Sequence, residues 1–176
     1  VKVRWYALSG LLLLTSVALL SQQRAAKAEL TLVTFRKNGV QVAVLARPTG
    51  EQTVAITAVF TPQPGFHMYS VDLPAEGIDG LGRPTRFELA APSTGELSPQ
   101  FTVTPEEIHV VSAASPEPMP VYPAGPVRLT RQLRLDSTSS AVTLDARFSY
   151  MSCDDARGCT VPVRDHHERI DLKGIR

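Results

Sequence analysis

A chain of 176 residues with 43% hydrophobic, 20% charged and only 6% aromatic side chains is long enough for one domain around an aliphatic core, and too apolar to be a disordered tail. Its formal charge of +1 arises at the amino end: residues 1–28 hold Lys2, Arg4, Arg24 and Lys27 and no acid, which leaves 14 basic against 17 acidic residues, or −3, for the remainder. No run of Lys and Arg remains to neutralise phosphates, which argues against nucleic-acid binding.

Lys2 and Arg4 lead into an apolar run from Trp5 to Leu20, whose 16 residues fall short of the roughly 20 that span a bilayer. Ala26-Lys27-Ala28 then places small residues where a signal peptidase reads. Residues 1–28 are therefore expected to be a secretory signal peptide cut before Glu29, with 29–176 as a single mature domain, periplasmic or otherwise exported. Left uncleaved, the same segment would be an N-terminal anchor, the one membrane contact the sequence suggests.

Beyond this segment helical periodicity is nearly absent, and apolar and polar residues alternate with the period of two that puts one strand face on a core. Such runs are Leu30 to Phe35, Val40 to Leu45, Val54 to Phe60, Arg86 to Leu89, Val127 to Leu135, 141 to 150 and Glu168 to Leu172, each bounded by Gly, Pro, Asn or Ser. Lys37-Asn38-Gly39 is a hairpin signal joining the first two. In 141–150, Val142, Leu144, Ala146, Phe148 and Tyr150 share one face. Gly77, Gly80 and Gly82 read as turn residues. Pro116, Pro118, Pro120, Pro123 and Pro126 cannot belong to a central strand, because proline donates no ladder hydrogen bond. The stretch 113–126 therefore reads as a surface loop, a plain connector or a cover over a site. Seven or more short strands suggest an all-β sandwich.

Chemistry-bearing motifs are few. There is no GxSxG, HExxH, Walker sequence or glycine-rich phosphate loop, and no cofactor is expected. The two cysteines, Cys153 and Cys159, stand six apart directly after the strand at 141–150. In an exported chain they would meet an oxidising compartment. A disulfide here closes a loop of about seven residues, worth about 2.4 kcal/mol of chain entropy against nearly 5 for a long loop. That makes a weak staple and tilts the spacing toward reactivity, but a redox pair and a structural bridge both stay open. Metal binding with His166 and His167 fits poorly, because structural zinc sites place thiolates two to four residues apart and adjacent strand residues face opposite ways. No metal is expected, and these histidines read as the solvated start of a strand.

The segment Phe148-Ser-Tyr-Met-Ser-Cys153-Asp-Asp-Ala-Arg-Gly-Cys159-Thr-Val-Pro162 resembles the cysteine segment of the N-terminal periplasmic domain of the DsbD family of thiol-disulfide interchange reductases. Pro64-Gly-Phe-His-Met-Tyr69 is similar to that family's Gly-aromatic-x-x-Tyr segment, and Val121-Tyr122 before the strand at Val127 is a weaker third match. The resemblance implies an immunoglobulin-like sandwich that relays two electrons between thioredoxin-like oxidoreductases. It implies that Cys159 forms mixed disulfides with partners, that Cys153 resolves them, and that Phe66 and Tyr69 support or line the site. With the chain ending at Arg176, the electron donor is expected on a separate chain. Three departures stand out. The stretch from about Ala113 to Met119 lacks the aromatic that caps the disulfide in family members, Gly158 stands where some relatives have a bulky aromatic, and His67 replaces a common aromatic. The reading from a different class is a noncatalytic immunoglobulin-like interaction module with the disulfide as a local staple.

Overall fold

The computed structural model describes residues 28–112, 115–136 and 141–175; apart from Ala28, the expected signal peptide lies outside them. Alternation dictates the elements. In chain order they are β1 (Leu30–Lys37), β2 (Val40–Pro48), β3 (Thr53–Thr61), β4 (His67–Met68), β5 (Arg86–Leu89), β6 (Gly95–Thr104), β7 (Ile108–Ser112), β8 (Ser115–Val121), β9 (Val127–Leu135), β10 (Ala141–Tyr150), β11 (Ser152–Asp154), β12 (Gly158–Cys159) and β13 (Val163–Lys173).

Two antiparallel sheets form the body of an all-β, immunoglobulin-like sandwich: a five-stranded sheet in the order β1-β2-β3-β9-β6 and a three-stranded sheet in the order β13-β10-β5. The β1–β2 hairpin turns at Asn38 and Gly39, both at positive φ (47° and 79°), as the tight hairpin turn requires. The expected face of β10 is the buried one, with Val142, Leu144, Ala146, Phe148 and Tyr150 all in the core. Against them pack Val40, Val42 and Val44 of β2, Ile56 and Phe60 of β3, and Leu129 and Leu133 of β9.

Although aromatics are scarce, they are concentrated. The Phe148 ring stacks on Phe87 at 5.4 Å and meets Phe35 and Phe60 edge-on at 5.1 and 6.3 Å, so one side chain of β10 touches rings from β5, β1 and β3. Edge-to-face and offset pairs of this kind add about 0.5–1.5 kcal/mol each beyond burial. Tyr150 closes the cluster, 5.5 Å from Phe60, and its hydroxyl donates to the Lys37 carbonyl at 3.2 Å. Burial pushes its ionisation up to about 12.

The expected loop over 113–126 is corrected by the structure. Ser115–Val121 is strand β8, paired antiparallel with β7 as a separate two-stranded ribbon. A proline-rich strand survives here because the ribbon asks for ladder hydrogen bonds along one edge only. Backbone groups of alternate residues face the same edge of a strand, and the Pro120 carbonyl accepts from Ser70 N at 3.0 Å, away from β7. Pro118 and Pro120 thus turn their missing donors to the edge that β7 does not use.

Beyond Tyr150 the chain leaves the sandwich. Met151 interrupts the strand, and β11 joins a second small antiparallel sheet in the order β12-β11-β4. This sheet and the β7–β8 ribbon sit together at one end of the body, joined through the Tyr69–Val121 bridge.

Candidate functional site

The small sheet aligns three residues across its strands. His67 of β4 is the register partner of Cys153 of β11, which in turn is the partner of Cys159 of β12. Cys153 and Cys159 are joined by a disulfide, their Cα atoms 4.0 Å apart. The hairpin that brings them together is closed by Thr160 N donating to the Ser152 carbonyl at 2.9 Å and by Ser152 N donating to Thr160 Oγ1 at 3.2 Å.

The two sulfurs live in different environments. Cys153 is 4% exposed and packs with Tyr69, Leu73, Met119 and Val121 in a small apolar cluster distinct from the main core. Cys159 is exposed on the edge strand. A disulfide sulfur cannot donate, so the Tyr69 hydroxyl is the donor toward both sulfurs, 3.1 Å from Cys153 Sγ and 3.9 Å from Cys159 Sγ. The Tyr69 backbone is clamped: its carbonyl accepts from Thr85 N and Oγ1, at 3.3 and 2.6 Å. Ser70 beside it donates through Oγ to the Glu107 carboxylate just before β7. Burial, with the nearby Asp155 charge, raises the Tyr69 ionisation, which keeps the hydroxyl protonated and able to donate.

The loop between the cysteines is organised around Asp154. Its Oδ1 accepts from the backbone N–H groups of Ala156 and Arg157, at 3.0 and 2.9 Å, and its Oδ2 accepts from Arg157 Nη2 at 2.7 Å. Arg157 also donates to the Pro64 carbonyl at 2.6 Å, with its guanidinium 4.6 Å from the centre of the Phe66 ring. These bonds, the Arg157 side chain foremost, lower the Asp154 carboxyl to about 2. Gly65 makes the contact possible: at φ +87°, a Cβ there would lie 2.5 Å from Arg157 Nη2. The sequence leaves open whether Arg157 offsets the two acids beside the thiols. In the structure its charge is spent on Asp154, so Asp155 is the uncompensated one. Gly158, at φ +82°, occupies a conformation that a bulky side chain rarely adopts.

Beside the disulfide opens a cavity of about 450 Å³. Its apolar walls are Leu81, Val110, Val111, Met119, Val121 and Met151, and its polar rim is His67, Tyr69, Asp154 and Asp155. The β7–β8 ribbon thus forms one wall, and with aliphatic and thioether side chains where an aromatic cap is absent.

Of the residues singled out from sequence, Cys153, Cys159 and Tyr69 come together. Phe66, 7% exposed, lies under Arg157 and outside the cavity walls. His166 and His167 are engaged elsewhere on β13: His166 lies 4.4 Å from the Phe35 ring with Nε2 3.0 Å from Glu168, and His167 is 3.2 Å from Asp165. Among the described residues no group of three or more metal-ligating side chains gathers. His67, marked by the sequence only as a departure from the family pattern, also belongs to the site. Its signal was present, since residues two apart on a strand share a face and His67 precedes Tyr69 by two. Its ring stands edge-on to Tyr69 at 5.7 Å, and burial lowers its basicity, opposed in part by Asp155 and Asp154.

These features define an all-β sandwich domain with one disulfide, half in the interior and half in solvent, beside an apolar cavity. No known family matches the chain by sequence, and neither does any curated protein. Among solved structures, the N-terminal periplasmic domain of ScsB from Proteus mirabilis has a similar fold, with a TM-score of 0.51 and 14% identity over 84% of this chain and 51% of that one. The chain thus spans about half the length of that structure. The GAE domain of yeast GGA1 also aligns, with a TM-score of 0.46 and 7% identity over 81% of this chain and 98% of that one.

Proposed function

We propose that this domain is an exported thiol-disulfide relay that passes electrons between thioredoxin-like partners through the Cys153–Cys159 pair. The observation that carries this reading is the asymmetry of the disulfide: Cys159 is exposed, while Cys153 is buried against the Tyr69 hydroxyl. A thiolate arriving from solvent reaches Cys159 Sγ first. Attack there makes Cys153 the leaving group, and the O–H of Tyr69 stabilises the departing thiolate by a charge-assisted hydrogen bond. In the reverse step Cys153, held beside the mixed disulfide, attacks Cys159 and releases the partner.

Two further points support the assignment. The structure with a similar fold is described as periplasmic, in keeping with a compartment where disulfides persist. Uncompensated Asp155 does not favour a thiolate on this chain, so the oxidised pair acts as an electrophile and the attacking thiolate belongs to the partner.

The test is the reduction potential of the pair, measured by equilibration in graded dithiol buffers. A value above about −300 mV belongs with exchange proteins, and a value well below it marks a structural bridge and ends the relay reading. In a relay, Cys153→Ala should accumulate mixed disulfides at Cys159, and Cys159→Ala should not.

A further inference from the structure

The relay reading leaves unexplained why a cavity of about 450 Å³ adjoins the disulfide. That volume lies within the range of pockets that hold a small ligand or a few atoms of a larger one. The cavity is not a packing fault of the main core, since its walls come from β7, β8, the turn at Leu81 and Met151, all at the site end of the molecule. Part of its apolar wall reaches solvent. Val111 in its wall is 66% exposed. An apolar hollow that opens to solvent beside a reactive group is shaped to receive an apolar side chain.

The charge on the rim is one-signed. Asp154 is paired with Arg157, whose guanidinium also donates to the Pro64 carbonyl and lies over the Phe66 ring. Asp155 is exposed and forms no ion pair among the described residues. An incoming group therefore meets a net negative edge and an apolar hollow, with the sulfur of Cys159 between them.

Resting on the relay reading, we propose that this cavity selects the partner: it takes an aliphatic side chain adjacent to the partner's reactive cysteine, while Asp155 favours a cationic residue on the other side and disfavours anionic thiols. The substrate class is a protein thiol in a segment of the form aliphatic-Cys-basic. The chemistry balances without further reagents. The partner's thiolate attacks Cys159 Sγ, the Cys153–Cys159 bond breaks, Cys153 leaves with the electron pair and takes a proton from solvent, and one disulfide replaces another. A second partner thiol then displaces Cys159. The pair ends reduced by two electrons and the partner ends oxidised to its own disulfide.

Four short synthetic peptides test this, each with one cysteine, flanked on one side by leucine or serine and on the other by lysine or glutamate. Their second-order rates of mixed-disulfide formation with the oxidised full chain are divided by each peptide's thiolate fraction. The leucine–lysine peptide should react fastest, with lysine preferred over glutamate by about threefold to tenfold in dilute buffer. That ratio should collapse in about 0.5 M salt. Asp155→Asn should erase the charge preference and keep the leucine preference, and Val111→Ser should do the opposite. Equal rates for all four peptides, with the pair still reduced readily by dithiothreitol, would overturn this inference alone. If neither the peptides nor dithiothreitol reduce the pair in the folded chain, the relay reading falls and takes this inference with it.

Discussion

The sandwich body and the site end are built on different principles. In the body, nine- and ten-residue strands such as β2, β9 and β10 alternate buried with more exposed positions, the central β3 is buried on both faces, and cohesion comes from burial spread over many side chains. At the site end, strands β4 and β12 have two residues each and β11 has three. Strands that short hold no stable sheet on their own, so shape there depends on a few single interactions: one disulfide, one Asp–Arg pair, one Ser–Glu hydrogen bond and the positive-φ glycines Gly65 and Gly158. A spread-out core tolerates loss of the site, whereas the site cannot outlast the core.

The largest expected effect tests the body. Phe148→Ala removes the ring on which four strands converge and should lower unfolding free energy by about 3–5 kcal/mol, read from urea denaturation. The paired Cys153→Ala and Cys159→Ala variant should lose about 2.4 kcal/mol, the chain entropy of the short loop, and keep the far-UV circular dichroism of the parent. If that variant proved less stable than Phe148→Ala, the disulfide would be a keystone of the whole fold and the contrast would fail.

Smaller effects sharpen the contrast at the site. Tyr69→Phe keeps the ring but removes the donor to the sulfurs, so stability should change by about 1 kcal/mol or less, while thiol exchange slows about tenfold through loss of a charge-assisted hydrogen bond. An unchanged exchange rate would show that the hydroxyl is a packing accident. Smallest is the acid response. His67, whose basicity is lowered by burial, resists protonation in the fold, so stability is full above its ordinary 6.5 and declines as pH falls below that toward its lowered value. Asp154 is held at about 2 against an ordinary 3.8, so its contribution is full above 3.8 and is lost as pH falls through about 2. His67→Gln should remove the first step of a urea-midpoint profile and Asp154→Asn the second, with the body strands unaffected in both.

Legibility from sequence follows the same division. The strands Arg86–Leu89, Val127–Leu135 and 141–150 stand where alternation puts them, and β1, β2 and β3 are longer only at their ends, because pairing with a neighbour carries a strand past its last apolar residue; β13 begins well before the expected Glu168, at Val163, so that His166 and His167 lie within it and not at its start. Strands β4, β11 and β12 are too short to carry a period, and β6 was hidden by the exposed, polar Gly95–Thr104 run. The ribbon β7–β8 was masked by its prolines. The two cysteines were visible as chemistry, and Tyr69 only through the resemblance of the Pro64–Tyr69 segment. The cavity was not, since its walls come from residues scattered between Leu81 and Met151, and no local pattern announces that such positions meet. Asp155's isolation was likewise invisible, because it depends on Arg157 turning toward Asp154 instead.

The alternating prolines of β8 have one more consequence. Where Pro120 docks on Ser70, the outer edge of the ribbon is already taken, and farther along, at Pro118, it presents carbonyls with no hydrogen to give. A strand from another molecule that lay alongside β8 at Pro118 would find no N–H for its own carbonyl, which discourages copies of this domain from pairing along that edge. The ribbon is thus insulated along β8, and approach to the disulfide is left to the exposed Cys159 on edge strand β12.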